Sequence, residues 1–256
     1  MKQNRPTVLT IAGLDPSGGA GVIADIRTFI EFDCFPTAAL TSLTFQNTQA
    51  VSGAVNQSAA TVRAQVEAII RDTHVAAVKT GMLPTREIVA EVARLVHETK
   101  LTPPVVDPVM SSTSGFELMS DDAFLALKNE LLPVALVVTP NIPEAERLTG
   151  FRIDNTADMH RAAQAIRELG INAVLIKGGH LKDRKGSGEA IDILDNDGDV
   201  TVFRDEWINV AGVRGTGCIL SAAIASSLGK GLILEDSVRE AKRYVTEIIR
   251  HAKEIV

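Results

Sequence analysis

Short apolar runs alternate with longer amphipathic stretches along the whole chain, and this alternation restricts the fold more than any other feature. The runs read as strands over Thr7–Ala12, Thr37–Phe45, Val75–Lys79, Pro104–Asp107, Leu136–Thr139 and Ala173–Lys177. The amphipathic stretches read as helices over Gly19–Glu31, Ala59–Arg71, Thr85–Glu98, Asp121–Leu131, Pro143–Leu148, Ala157–Leu169, Gly215–Leu228 and Leu234–Ile255, with Ser58, Ser120 and Thr156 as N-caps. Apolar strands followed by helices predict a largely parallel sheet covered on both faces. Near the end the pattern changes. Ala190–Leu194 and Val200–Arg204 flank Asp197-Gly198, a hairpin turn signal, so an antiparallel hairpin is expected late in the sheet. No repeat or linker interrupts the 256 residues, which predicts one domain.

Composition excludes several classes. A formal charge of −6 argues against a nucleic-acid partner, which needs a basic face. No run approaches the roughly 18 apolar residues of a membrane helix, and Val8–Ala12 is too short for a signal-peptide core. The two cysteines, Cys34 and Cys218, form no disulfide framework and lack metal-ligand spacing, so a reducing cytoplasm is expected.

Two glycine clusters each open a helix. The first, Gly13 to Gly21, could hold an anion on backbone N–H groups or could be a tight strand-to-helix turn. Gly13 and Gly18 have the spacing of a phosphate-binding loop, but Gly19 and Ala20 replace the required Lys and Ser/Thr. The dinucleotide-binding spacing is also absent, which disfavours a dehydrogenase. In the second cluster, Gly215-Thr216-Gly217-Cys218, helix-start amides could stabilise a transferred phosphoryl group. The same potential would lower the Cys218 thiol pKa and make it a better base, although a cysteine in an apolar helix is more often packing.

Other candidates stand at strand ends, where ligands bind in open α/β sheets. Asp107 and Glu144 offer the oxygen that Mg²⁺ prefers. Lys177 brings a cation ahead of Gly178 and Gly179, while His180 reads as a loop residue. Gln46 offers the paired donor and acceptor that match an aminopyrimidine edge, and alternation turns Phe45 the other way. Asp25 shares a helix side with Val22, Ile26 and Phe29; it reads either as a rim carboxylate or as one aimed into a pocket. Asp107, Asn141 and Glu144 also fit ordinary turn or capping chemistry, and Gln46 and Asn47 an ordinary polar strand end.

Taken in order, IAGLDPSGGAGVIAD (Ile11–Asp25), Gln46-Asn47-Thr48, KTGML (Lys79–Leu83), VDPVM (Val106–Met110), TPNIPEA (Thr139–Ala145), KGGHL (Lys177–Leu181) and GTGCIL (Gly215–Leu220) span nearly the whole chain. This set resembles the hydroxymethylpyrimidine and hydroxymethylpyrimidine-phosphate kinases of the ribokinase superfamily. The resemblance implies a three-layer α/β/α ribokinase-like fold with a mostly parallel central sheet, and a homodimer. It implies ATP-dependent phosphorylation of a thiamin precursor with Mg²⁺. It assigns the pyrimidine to Gly13, Asp25, Gln46, Met82 and Val109, and the nucleotide phosphates to Thr139, Asn141, Lys177 and Gly178. It assigns the metal to Asp107 and Glu144, and the anion hole and base to Gly215, Thr216, Gly217 and Cys218. Leu14, Phe45 and Arg214 depart from the family pattern, Arg214 at a position beside the phosphates. A pyridoxal kinase shares the cysteine-bearing turn and is the alternative enzyme. A non-catalytic ligand sensor is the alternative of another class, disfavoured because a sensor needs no base.

Overall fold

The computed structural model describes residues 5–99, 101–112, 114–179, 181, 188–208 and 214–255; His180 lies outside them. In chain order the elements are β1 (Thr7–Leu14), α1 (Gly21–Glu31), β2 (Phe35–Gln46), β3 (Val51–Asn56), α2 (Ala59–Ile70), β4 (Val75–Thr80), α3 (Arg86–Glu98), β5 (Val105–Val106), α4 (Asp121–Ala126), β6 (Val137–Val138), α5 (Ile142–Thr149), α6 (Thr156–Arg167), β7 (Ala173–Lys177), β8 (Glu189–Asn196), β9 (Asp199–Glu206), α7 (Thr216–Gly229) and α8 (Leu234–Ile255). A wider π-type turn, Leu127–Leu131, and a 3-10 turn, Leu132–Val134, prolong α4.

The strands form one sheet in the order β3-β2-β1-β4-β5-β6-β7-β8-β9. Pairing is parallel from β2 to β7 and antiparallel at both ends. The expected hairpin is β8–β9. Its turn residues Asp197 and Gly198 both adopt positive φ, 54° and 92°, which suits the right-handed twist of the flanking strands.

Alternating side chains supply two cores. Leu9, Ile11, Val78, Val106, Val138, Val174 and Ile176 face α2 to α6. Val8, Ala77, Val105, Val137, Ala173 and Leu175 face α1, α7 and α8. The result is a three-layer α/β/α sandwich. Burying a side chain such as Phe29, which is 0% exposed, contributes about 1.5–3 kcal/mol.

Ser58 and Ser120 cap their helices as expected, accepting from Thr61 N and Ala123 N. Thr156 does not cap α6: Asn155 precedes it, and its side chain accepts from Asp158 N at 3.0 Å. The sequence reading missed β3, which pairs with β2 at one edge. Among the described residues no helix is long and apolar enough to cross a membrane.

Candidate active site

A cavity of about 460 Å³ lies at the carboxyl ends of the parallel strands. Gly13 ends β1, Gln46 ends β2, Asp107 follows β5, Asn141 follows β6 and Lys177 ends β7; all line it. Met82, Val109, Glu144, Gly215, Thr216, Gly217 and Cys218 line it as well. The strand-end argument therefore brings most of the expected residues together.

Three expected residues are not on the wall. Asp25 is 0% exposed and lies behind it, so it is neither a rim carboxylate nor a lining one. It accepts from Thr10 Oγ1 at 2.6 Å and pairs with Lys79 Nζ at 2.8 Å. Thr139 is buried beneath the surface, its Oγ1 donating to the Val106 carbonyl at 3.4 Å. Gly178 gives its N–H to Asp192 Oδ1 at 2.9 Å. A Cβ on Gly178 would stand 1.9 Å from the Ile191 carbonyl oxygen, so the glycine there serves strand approach. Gly179 lines the cavity in its place.

The first glycine cluster spends three of its amides internally and turns that of Gly21 towards Cys218. Asp15, 3% exposed, accepts from Ser17 N at 2.8 Å, Ser17 Oγ at 2.6 Å and Ala20 N at 3.0 Å, while its own carbonyl takes Gly18 N. That favours the tight-turn reading over an anion cradle. Asn47 is likewise turn chemistry, accepting from Gln49 N and Ala50 N. Asn141 and Glu144 close a capping box at the start of α5, each accepting the other's backbone N–H, at 2.9 and 2.8 Å. Phe45 is 56% exposed and packs over Gly53, away from the cavity as alternation requires.

The second cluster is built differently. Gly215 takes φ +71° as the N-cap of α7, and among the described residues no side chain caps the helix. A Cβ there would stand 2.0 Å from the Gly19 carbonyl oxygen, so the two glycine turns touch. Lys177 Nζ lies beside Gly217 and pairs with Asp107 Oδ1 at 3.0 Å. A cation thus stands next to open helix-start amides, a combination that holds anions.

Charge at the site is dense. Burial works against ionisation of Asp107, but Lys177 and Lys79 outweigh it and hold the carboxyl below its ordinary value. Burial also opposes the charge on Lys79, yet Asp25, Cys218 and Asp107 keep it above its ordinary value. Burial pushes Glu144 up to about 7, against the pull of Lys177. The Cys218 thiol overturns the sequence argument. Burial, with Asp107 and Asp25 nearby, pushes it up to about 12, although Lys79 and the Gly21 amide pull it down. Desolvation and two carboxylates outweigh the helix end. Cys34, by contrast, is a packing cysteine, buried between α1 and α7 with its thiol 3.7 Å from the Ser226 carbonyl.

Several wall residues escaped sequence reasoning. Lys79 interrupts an apolar strand, the one local signal that it has a task. Asp192 links three elements: it accepts from Gly178 and pairs with Lys242 of α8 at 2.7 Å. Beyond them Ala190, Trp207, Ile208, Val245 and Ile249 form an apolar arm between the hairpin and α8.

The comparisons with known proteins agree with this geometry. Residues 15–256 match the family described as phosphomethylpyrimidine kinase. A hydroxymethylpyrimidine/phosphomethylpyrimidine kinase of Streptomyces coelicolor is 42% identical over 95% of this chain and 88% of its own length. The crystal structure of a phosphomethylpyrimidine kinase from Clostridium difficile superposes with a TM-score of 0.83 at 39% identity, covering 96% of this chain and all of that one. A Bacillus subtilis pyridoxal kinase solved as an ADP complex gives 0.85 at 35% identity, covering 95% and 91%. The fold, the strand-end cavity and a match across almost the full length lead to one conclusion: the chain belongs to the phosphomethylpyrimidine kinase family.

Proposed function

We propose that the chain transfers the γ-phosphoryl group of ATP to hydroxymethylpyrimidine and then to its monophosphate, supplying a thiamin precursor. The observation that carries this reading is a single cavity with two arms meeting at the uncapped start of α7. One arm, with Gly13, Gln46, Met82 and Val109, suits a small polar heterocycle: Gln46 supplies a donor and an acceptor, and Met82 and Val109 supply apolar walls. The other, with Trp207, Ile208, Val245 and Ile249, suits a nucleoside. Between them lie Lys177, Gly215, Thr216 and Gly217, where phosphates would sit.

Asp107 and Glu144 would hold Mg²⁺. Each is a buried carboxylate on the wall with one oxygen engaged, Asp107 by Lys177 and Glu144 by the Asn141 amide. No cluster of three or more ligating side chains occurs among the described residues, which suits an ion completed by phosphate and water. Mg²⁺, when bound there, neutralises phosphate charge and offsets the Asp107 carboxylate that holds the Cys218 thiol up. The chain's own residues do the rest. Lys177 and the α7 amides orient the transferred group, and the apolar arm excludes water from it. Cys218 stands at the helix start, placed to receive the hydroxyl proton once its own thiol is ionised, which the resting charge balance opposes.

The family resemblance adds a homodimer, which the hydrodynamic mass of the purified chain decides. One domain carries the whole site in this reading, because the wall draws on residues from Gly13 to Ile249. The deciding assay incubates the protein with Mg-ATP and, separately, hydroxymethylpyrimidine, its monophosphate and pyridoxal, with products identified by mass. Monophosphate and then diphosphate are expected. Turnover of pyridoxal with none of the pyrimidine would replace the reading with the pyridoxal kinase alternative; turnover of none would favour the sensor.

A further inference from the structure

Four cationic side chains stand at the cavity among the described residues: Lys79, fully buried in its wall, and Lys177, Lys242 and Arg214 on it. Three are neutralised: Lys79 by Asp25, Lys177 by Asp107 and Lys242 by Asp192. Arg214 has no carboxylate partner among the described residues. Its Nη1 donates to the Asn47 carbonyl at 2.6 Å. That bond pins the guanidinium between the β2–β3 turn and the start of α7, and among the described residues Nε and Nη2 have no partner. Arg214 directly precedes Gly215, and its Cβ lies 3.8 Å from where a Cβ on Gly19 would stand. A preorganised fork of donors therefore sits where the two glycine turns meet.

The two proposed phosphorylations differ in what they need. In the first, an alcohol oxygen bonds to the γ-phosphorus, the bond to the bridging oxygen breaks, and the hydroxyl proton must leave. In the second, the nucleophile is an oxygen of a phosphate monoester, whose second ionisation near pH 6 leaves it anionic at pH 7. No proton has to be removed. Two like-charged phosphates must instead be held together in a cavity whose wall already carries Asp15, Asp107, Glu144, Asp192 and Glu206. An uncompensated guanidinium meets that need, and the neutral alcohol makes no such demand.

We propose that Arg214 is the specificity-determining residue for the second transfer: it grips the phosphate already on the substrate and sets it beside the Gly215–Gly217 turn. The proposal rests on the functional reading above. Its ligand is the phosphate monoester of a hydroxymethyl heterocycle, and the planar fork suits two phosphate oxygens at once.

The test compares wild type, Arg214→Gln and Arg214→Lys on hydroxymethylpyrimidine and on its monophosphate, each with Mg-ATP. Calorimetry of the monophosphate without nucleotide gives a readout independent of turnover. Arg214→Gln should lower the ratio of kcat/KM for monophosphate over alcohol by about 10–100-fold, mainly through KM, and weaken monophosphate binding by a similar factor. Arg214→Lys, which keeps the charge and loses the fork, should recover part of both. A residue that only braces the Asn47 turn would lower both substrates together and keep the ratio within about twofold, which would overturn the proposal. A wild-type enzyme that makes the monophosphate and never the diphosphate would overturn it too, with the first-step function intact. Turnover of neither substrate by wild type would overturn the functional reading and this proposal with it.

Discussion

The two glycine turns of this protein share a signature and have opposite duties. Both lead into a helix, and they touch where the Gly19 carbonyl approaches Gly215. The turn from Gly13 to Gly21 contains its own carboxylate, Asp15, which takes the Ser17 and Ala20 amides. The turn from Gly215 to Cys218 contains none; among the described residues neither α1 nor α7 has a side-chain cap at its start, so the carboxylate inside the turn is what separates the two. The start of α5 falls with the first, closed by the Asn141–Glu144 box. Whether a glycine turn is open to a ligand thus depends less on its glycines than on whether a neighbouring acid has already claimed the N–H groups of the turn.

Substitutions can break this contrast, and the strongest acts where the turns meet. Gly215→Ala places a methyl group on the Gly19 carbonyl at a positive φ. It should abolish turnover and lower the thermal midpoint by about 5–10 °C, as strain of this kind costs on the order of 1–3 kcal/mol before the contact is relieved. A scanning calorimetry trace indistinguishable from wild type would show that the turns do not depend on each other.

Next comes Cys218→Ala, which should reduce kcat on hydroxymethylpyrimidine by about 10²–10⁴ with little change in midpoint. If Cys218 only fills space, the midpoint should fall and kcat per folded molecule should stay. Measuring both on one preparation separates the outcomes. The internally closed turn should respond in reverse. Asp15→Asn weakens the bonds that stitch it and should cost about 1.5–3 kcal/mol of stability in denaturant titration, with kcat affected less than in Cys218→Ala.

The smallest effect concerns the box at α5. Glu144 sits at about 7 in the folded chain against an ordinary 4.5, so the folded state holds its proton more tightly than the unfolded one. Its contribution to stability is present below about pH 4.5 and is lost as pH rises towards 7. With metal chelated, the midpoint of Glu144→Gln should therefore gain on wild type across that window and then level off; glutamine keeps the box. A constant difference between the two melting curves would remove the raised carboxyl. With metal present, the same variant should need more Mg²⁺ for half-maximal turnover.

What could be read from the sequence follows from how far each signal reaches. β7 keeps its predicted bounds, and the β8–β9 turn was legible because Asp197-Gly198 is a local conformational code. β3 was not: Val51-Ser52-Gly53-Ala54-Val55-Asn56 is a half-exposed edge with a central glycine, and its pairing with β2 supplies the order that its own residues do not. At the site, strand-end position found Gln46, Asp107, Asn141 and Lys177. Periodicity placed Asp25 on the correct helix side but could not show that Lys79, 54 positions away, would bury it. Asp192 and Lys242 were missed for the same reason, as partners 50 positions apart. The thiol of Cys218 was misjudged because a helix end is visible in sequence, while the desolvation and carboxylates that outweigh it are assembled only by the fold.

The pair of Lys79 and Asp25 also bears on how such a chain can change over generations. Both side chains are 0% exposed. Losing one strands the other, at a cost of about 3–5 kcal/mol, a large share of the roughly 5–15 kcal/mol that keeps a domain folded. Losing both for apolar residues of matching volume can be nearly neutral. As far as folding stability decides, single-step drift is therefore blocked at each position while a double step is open, so the two sites should be inherited as one unit, and a library of single substitutions will find each of them intolerant for a reason that belongs to neither alone.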